Sequence, residues 1–193
     1  MTKKIVIVAL VILVLAGAGF WWIESARGFS ARQEPTKLEA VLARNMRLLA
    51  IPSSAKSLRS PLPLTPDLMV EARHHFADHC AICHANDGSG NTEMGKNLYP
   101  KAPDMRQQAT QSLSDGELYF IIHNGIRLTG MPAWGAESDH DQDSWTLVYF
   151  IRRLPSLSSE ELADMQKFNP QSPMELEEQR EEEEFLNAKP KNK

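Results

Sequence analysis

Cysteine is scarce in this sequence, with only two among 193 residues. That scarcity excludes a disulfide-rich scaffold, and it also excludes a zinc site built from three or four thiolates. No strand-like alternation of apolar and polar residues stands out, so the sequence predicts an all-α fold. An excess of basic charge is missing too, because 21 Lys and Arg face 25 Asp and Glu. Nucleic acid is therefore not an expected partner.

Charge is absent from a run of 19 residues, Ile5 to Ile23, close to the N-terminus. As a helix rising about 1.5 Å per residue, this run is roughly 28 Å long and matches the ~30 Å hydrocarbon core of a bilayer. Residues 1–23 are therefore predicted to form a single transmembrane anchor. A cleaved signal peptide is the alternative, since Ala16-Gly17-Ala18 resembles a processing site. Cleavage there would leave the aromatic segment Phe20–Ile23 exposed at a new N-terminus.

Residues 24–64 read as a polar stalk, an amphipathic helix and a linker. The helix is predicted over residues 36–51, where apolar side chains recur at helical spacing, and the linker after it is rich in proline and serine. The apolar face of this helix could pack on the following domain, lie on the membrane surface or dock on a partner. Packing is favoured.

Residues 156–193 form an acidic C-terminal tail, with a run of glutamates from Glu175 to Glu184. Such a run is usually a solvated helix or a disordered end. Docking onto a basic partner surface is the sharper alternative.

Between these segments, three helices are predicted from their start and stop signals. The first begins at Thr65-Pro66-Asp67, where threonine can cap and proline suits the first helical position, and it runs towards Cys80. The second begins at a capping box at Ser114 and stops at Gly125. The third covers about Asp141 to Leu154. A glycine-rich and proline-containing loop between the first two is long enough to wrap around a bound group.

Both cysteines of the chain fall in one motif, Cys80-Ala81-Ile82-Cys83-His84, which is typical of covalent haem attachment. Thiols three residues apart on a helical turn can each bond to one haem vinyl group, and His84 then brings an imidazole nitrogen to the iron. A redox dithiol would need a βαβ context, and half a zinc site would need further ligands. The motif therefore predicts one covalently attached haem c.

Met131 is the predicted second axial ligand of the iron. It lies 47 residues after His84, between a glycine that lets the backbone approach a porphyrin and a proline that stiffens the segment. Met94, Met105 and His123 are the competitors, and none has this flanking pair. Three further histidines precede the motif on its helix and are expected to be exposed rather than ligating: His74, His75 and His79.

These residues resemble a class I cytochrome c domain of the short bacterial monohaem type over about residues 65–155. The resemblance rests on Phe76 four residues before the motif, the motif itself, the Gly-Met-Pro segment, and Trp145 and Tyr149 in the last helix. It implies a small helical domain around one covalent haem. It also implies that the first and last helices cross near Ala72, Phe76 and Tyr149, and that a proline carbonyl orients the histidine ligand.

Pro100 and Pro103 are the two candidates for that carbonyl. Trp134 and Arg127 are candidates to border the haem propionates, although plain packing explains Trp134 equally well. The resemblance further implies haem attachment outside the cytoplasmic membrane. The haem domain is therefore expected to face the periplasm, with the N-terminus on the cytoplasmic side and a single membrane crossing.

Ligation by His84 and Met131 would fill both axial positions, which favours electron transfer over catalysis. The expected protein is a membrane-anchored electron carrier, not an enzyme, that passes single electrons between periplasmic or membrane redox partners. It could be a free carrier or a subunit of a respiratory or dehydrogenase complex. A haem-based sensor or peroxidase-like enzyme with a labile sixth ligand is the alternative, and a scaffold or assembly protein is a third hypothesis.

Overall fold

The computed structural model describes residues 2–28, 30–135, 141–171 and 173–188, and over these residues it is helical with no strand, as predicted. Two long helices come first, α1 (Thr2–Arg27) and α2 (Lys37–Ala50). The others follow in order: α3 (Ser53–Lys56), α4 (Pro66–His75), a π turn (Phe76–Cys80), α5 (Ala81–His84), α6 (Glu93–Lys96), α7 (Gln108–Gln111), α8 (Asp115–Asn124), α9 (Gln142–Arg153), a 3-10 turn (Leu154–Ser156), α10 (Ser159–Met165), a second 3-10 turn (Gln166–Phe168) and α11 (Pro173–Ala188).

Helix α1 can cross a membrane by its length and composition. Its stretch Lys3–Ala26 has a mean hydropathy of 2.6, and none of it is buried against the rest of the protein. A signal sequence near the N-terminus has the same properties. The apolar side chains of α1 are therefore left for lipid or for a partner to cover.

The helix boundaries follow the signals read from the sequence. The Thr65 hydroxyl accepts a hydrogen bond from Leu68 N and begins α4, and Ser114 forms a capping box with Glu117 at the start of α8. Gly125 ends α8 with a φ of +66°, a conformation that costs glycine little.

The centre of the domain is the crossing of α4, with its π turn, against α9. Ala72 and Phe76 are buried there, and the rings of Phe76 and Phe150 lie 4.9 Å apart. The crossing near Ala72 and Phe76 is therefore confirmed. Tyr149 is only half-buried, and its hydroxyl donates to the carbonyl of Leu62 at 2.9 Å, so it ties the linker to α9 rather than filling the crossing.

The first helix does not continue as a regular α-helix to Cys80. Its last turn is a π turn, in which Ala81 N donates to Phe76 O. A π turn holds one residue more than an α turn, so it rotates everything that follows relative to the α4 axis. Ala77 and Ala81 are buried as a result, and Cys80 is half-buried.

Helix α2 forms where the amphipathic pattern predicts it, and a capping box at Thr36 begins it. The sequence favours packing of some kind for this helix, and the structure shows it only in part. No residue of α2 is buried. Leu48 packs against the core, whereas the apolar stripe is exposed. The stripe consists of Leu38, Val41, Leu42, Met46 and Leu49.

The chain after α9 folds back onto α4. Met165 at the end of α10 is completely buried in the main core, and Phe168 stacks on His74 with ring centroids 3.6 Å apart. Arg73 Nη2 and His74 Nε2 lie 2.8 and 3.0 Å from the Asp164 carboxylate. The packed core therefore extends beyond residue 155, where the sequence suggested that the domain ends. The side chains described in α11 are exposed.

We expect Met165→Ala to lower the free energy of unfolding of the haem-loaded protein by about 2–5 kcal/mol, because it leaves a cavity in the core. Denaturant titration followed by haem absorbance measures this. Ala163→Ser, at an exposed position of the same helix, is the matched control and should change stability by less than about 0.5 kcal/mol. Equal stability of both variants would show that α10 does not contribute to the core.

A second prediction concerns acid. The pKa of Asp164 is lowered to about 2, first by hydrogen bonding to His74 and then by hydrogen bonding to Lys167. A carboxyl with a lowered pKa stabilises the fold fully above about pH 4 and loses that effect as the pH falls through its folded-state value. We expect hydrogen exchange in α10, corrected for intrinsic rates, to rise between pH 4 and pH 2. Asp164→Asn should remove this pH dependence and Glu160→Gln should keep it.

Candidate functional site

The two cysteines lie where the π turn meets α5. Cys80 closes the π turn, Cys83 follows within α5, and both thiols are free and half-buried. Burial raises the pKa of Cys80 to about 12, and the nearby Cys83 adds to this effect. Burial also raises the pKa of Cys83. The structure therefore presents two neighbouring protonated thiols at one end of the central helix.

His84 ends α5 beside them. Burial lowers the pKa of His84, and the Pro103 carbonyl lies close enough to offset part of that shift. The Nδ1 atom is fully buried, but its geometry falls short of a full hydrogen bond to any described residue. Of the two prolines proposed from the family resemblance, Pro103 is thus the one near the ring. A neutral imidazole held from one side is the form that binds a metal ion through its other nitrogen.

A tight loop after the motif closes around its backbone. Gly90 N donates to His84 O at 2.8 Å, and the hydroxyl of Thr92 donates to Cys83 O at 3.2 Å. A Cβ atom on Gly95 would collide with Cys83 O, and one on Gly90 would collide with the Ala102 carbonyl. The glycines predicted to form a wrapping loop are therefore required by close backbone contacts.

Arg106 fixes the return of this loop, a role that the sequence analysis missed. Its guanidinium binds the Asp87 and Asp104 carboxylates, each at 2.8 Å, and Met105 N donates to Gly88 O at 2.8 Å. The side-chain hydrogen bond from Arg106 holds the pKa of Asp104 far below its ordinary range. Asp104 and Arg106 are two residues apart, so their pairing can be read from the sequence, but the ion pair of Arg106 with Asp87 depends on the loop closing.

Met131 lies on the segment between α8 and α9. Its carbonyl accepts from Ile126 N at 3.1 Å, and its own amide donates to the Thr129 hydroxyl at 3.1 Å. A Cβ atom on Gly125 would collide with the backbone of residues 131–133, so that glycine allows the segment to fold back on the end of α8. Met131 is half-buried, and Gly130 packs against the side chain of Leu98 from the loop after the motif.

The three side chains that compete with Met131 as the second iron ligand are buried in the core, exposed or bound to another residue. Met105 is buried in the main core, Met94 is exposed on α6, and His123 Nδ1 lies 2.9 Å from the Asp141 carboxylate. His79 is exposed, as expected, and its ring makes an edge contact with Trp134 at 5.6 Å, whereas His74 and His75 are half-buried, contrary to expectation. Over the described residues, no three side chains of His, Cys, Asp or Glu converge on a metal site.

Asp141 and His123 close the end of the Met131 segment. Asp141 is buried and accepts from the amide and the hydroxyl of Ser144 as well as contacting His123. These hydrogen bonds outweigh burial and lower the pKa of Asp141. Gly135 N in turn donates to His123 O at 3.0 Å. One buried carboxylate thus caps α9 and anchors α8 at the base of the segment that carries Met131.

Of the two candidates to border the haem propionates, Arg127 is exposed, and the ring of Trp134 contacts His79.

The family model for the cytochrome c oxidase, cbb3-type, subunit III matches residues 68–151. The cbb3-type cytochrome c oxidase subunit FixP of Sinorhizobium medicae (strain WSM419) and that of Rhizobium meliloti (strain 1021) are each 37% identical over 73 residues. That alignment covers 37% of this chain and 23% of each relative, so the chain spans about a quarter of their length. Together with the helical fold and the motif, these similarities identify the matched segment as a class I c-type cytochrome domain.

Proposed function

We propose that the protein is a membrane-anchored c-type cytochrome that transfers single electrons and carries one haem c. The observation that carries this proposal is the arrangement at the end of α4, where two adjacent thiols and a neutral, partly buried imidazole lie together. Bound haem supplies a one-electron iron couple. The side chains of this chain would attach the haem and ligate its iron.

Cys80 and Cys83 are proposed to form the two thioether bonds to the haem, and His84 to ligate the iron. The site fits this group, because burial lowers the pKa of His84 and so favours the neutral ring that binds iron. The Pro103 carbonyl beside the ring and the buried Nδ1 atom, unpartnered among the described residues, leave the other nitrogen for the metal. Two covalent bonds to Cys80 and Cys83 would hold the haem at a fixed position beside the His84 imidazole.

Met131 is proposed as the second iron ligand. Support comes from its half-buried side chain and from the other roles of its competitors, with Met105 in the core and His123 bound to Asp141. A thioether ligand favours ferrous iron and raises the potential, and two filled axial positions leave no open site for oxygen or peroxide. Electron transfer is therefore favoured over the sensor or peroxidase-like alternative.

The proposed organisation starts from the four segments expected from the sequence: an anchor at 1–23, a stalk, amphipathic helix and linker at 24–64, a haem domain at 65–155 and an acidic tail at 156–193. The contact of α10 with α4 adds residues up to Phe168 to the haem domain. Helix α1 and the similarity to oxidase subunits support a membrane-anchored protein. We propose that the haem domain faces the periplasm, with Lys3 and Lys4 on the cytoplasmic side.

The partners are proposed to be redox proteins of a respiratory complex. Both curated relatives are named as subunits of a cbb3-type cytochrome c oxidase, and the family model carries the same description. Anchoring in the same membrane would raise the effective concentration of this domain at such a complex. A free carrier would use the same chemistry, and copurification with oxidase subunits from native membranes distinguishes the two.

We expect Met131→Ala to abolish the methionine-to-iron charge-transfer band of the ferric protein and to allow the ferrous form to bind CO. The wild-type protein, produced with haem-attachment machinery, should show a low-spin spectrum that CO does not change. Met94→Ala, at an exposed methionine, is the matched control and should behave as the wild type. Ready CO binding by the wild-type protein would instead support the sensor or peroxidase-like function.

A further prediction tests the wrapping loop. Gly95→Ala forces a Cβ atom against the Cys83 carbonyl, and we expect it to lower the free energy of unfolding by about 1–3 kcal/mol and to reduce the yield of covalent haem. Haem content per protein, from absorbance and intact mass, measures the second effect. Asn91→Ala, at an exposed position of the same loop, should leave both unchanged. Full haem loading of Gly95→Ala would contradict a loop closed tightly on the motif.

A further inference from the structure

The apolar stripe of α2 faces away from the protein to which it is attached. Its five members span about 140° of the helix circumference at 100° per residue, and they are 53–85% exposed. A stripe of this width on a surface helix normally faces a core. Nothing in the described part of the chain covers this one, so its apolar area needs a partner outside the domain.

The outward orientation is fixed by contacts on the other side of α2. Leu48 packs on the core, Ile51 at the end of the helix is buried, and Lys56 Nζ donates to Leu48 O at 3.2 Å. At the N-terminal end, the Tyr99 hydroxyl donates to Glu39 at 3.1 Å. The helix is therefore attached to the domain at both ends by side chains that are not in the stripe.

The position of α2 in the chain places the stripe close to a bilayer. Only nine residues separate the end of α1 at Arg27 from the start of α2 at Lys37, a distance of at most about 30 Å even when fully extended. Lys101 pairs with Glu34 within this connection. Partial burial raises the pKa of Tyr99, as do its hydrogen bond to Glu39 and the negative charges of Glu39 and Glu24, so the end of α1 lies within electrostatic range of the same tyrosine that Glu39 of α2 contacts.

The charge of this region suits an anionic surface. Residues 24–59 carry seven Lys and Arg against three Asp and Glu. Arg47 is half-buried, and burial together with the charge of Arg44 lowers its pKa while Glu117 offsets part of that shift, whereas Lys37 and Arg44 are exposed. An amphipathic helix with an apolar stripe and flanking basic side chains is the type that binds in the headgroup layer of a membrane.

We propose that α2 lies in the interfacial layer of the bilayer that α1 crosses, with the stripe inserted among the lipids. This inference rests on the proposed membrane anchoring. It goes further, because it adds to the anchor a second membrane contact that fixes the orientation of the haem domain. The loop carrying Tyr99 and Lys101 would then face the membrane, and Pro103 behind His84 belongs to the same loop.

Spin labels in the full-length, haem-loaded protein test this orientation. The protein is reconstituted in nanodiscs of phosphatidylcholine with phosphatidylglycerol, and a nitroxide is attached at Leu42→Cys or, as matched control, at Ala40→Cys. Leu42 lies two residues after Ala40, so the two side chains point about 160° apart around the helix axis. Both positions are exposed. Cys80 and Cys83, once bonded to haem, do not react with the label. Collision with oxygen, which enters lipid, and with a nickel chelate, which stays in water, gives the depth of each label.

We expect the Leu42 label to collide several-fold more with oxygen than with the chelate, and the Ala40 label to show the opposite preference. A Leu42 label as accessible to the chelate as the Ala40 label would overturn the proposal. Protection of Leu42 from both reagents would also overturn it, and would indicate that a protein, such as a second copy, covers the stripe. A third label at Leu13→Cys reports on the anchor, so that a lipid-exposed Leu13 beside an aqueous Leu42 separates failure of this inference from failure of the anchoring.

Discussion

The crossing of α4 against α9 is the contact on which the rest of the domain depends. Phe76 and Phe150 meet at its centre, and Ala72 is small enough to let the two helices approach. The thiols and His84 follow α4 by one π turn, and the Met131 segment enters α9 through Asp141. Two segments that are far apart in sequence, and that are proposed to hold the haem, are therefore positioned by the same few buried side chains.

Polar contacts also hold the loops on either side of the core. Arg106 joins the two ends of the loop after the motif, and Asp141 joins the base of the Met131 segment to α8 through His123. At these positions directional bonds between charged and polar groups add to burial as a source of order. An apolar cofactor between the two loops would add the contact area that a domain of this size has difficulty supplying from side chains alone.

Much of the fold could be predicted from local chemistry. Thr65, Ser114 and Asp141 begin helices because their oxygens satisfy free amides, and this can be read from a few neighbouring residues. The haem motif is equally local. What could not be predicted depends on distant partners. Nothing in the sequence around Met165 predicts its burial, which depends on α4 lying beside it. The apolar stripe of α2 has the same sequence pattern whether it faces protein or lipid.

The raised pKa values of the two thiols have a consequence for the chain before it acquires its cofactor. At pH 7, a thiol with a pKa of about 12 is ionised in only about one molecule in a hundred thousand. Disulfide exchange needs the thiolate as the attacking species, so burial of Cys80 slows the formation of an internal disulfide with Cys83. A folded helix end with buried thiols would thus keep its own sulfur atoms in the less reactive protonated form until the proposed thioether bonds are made.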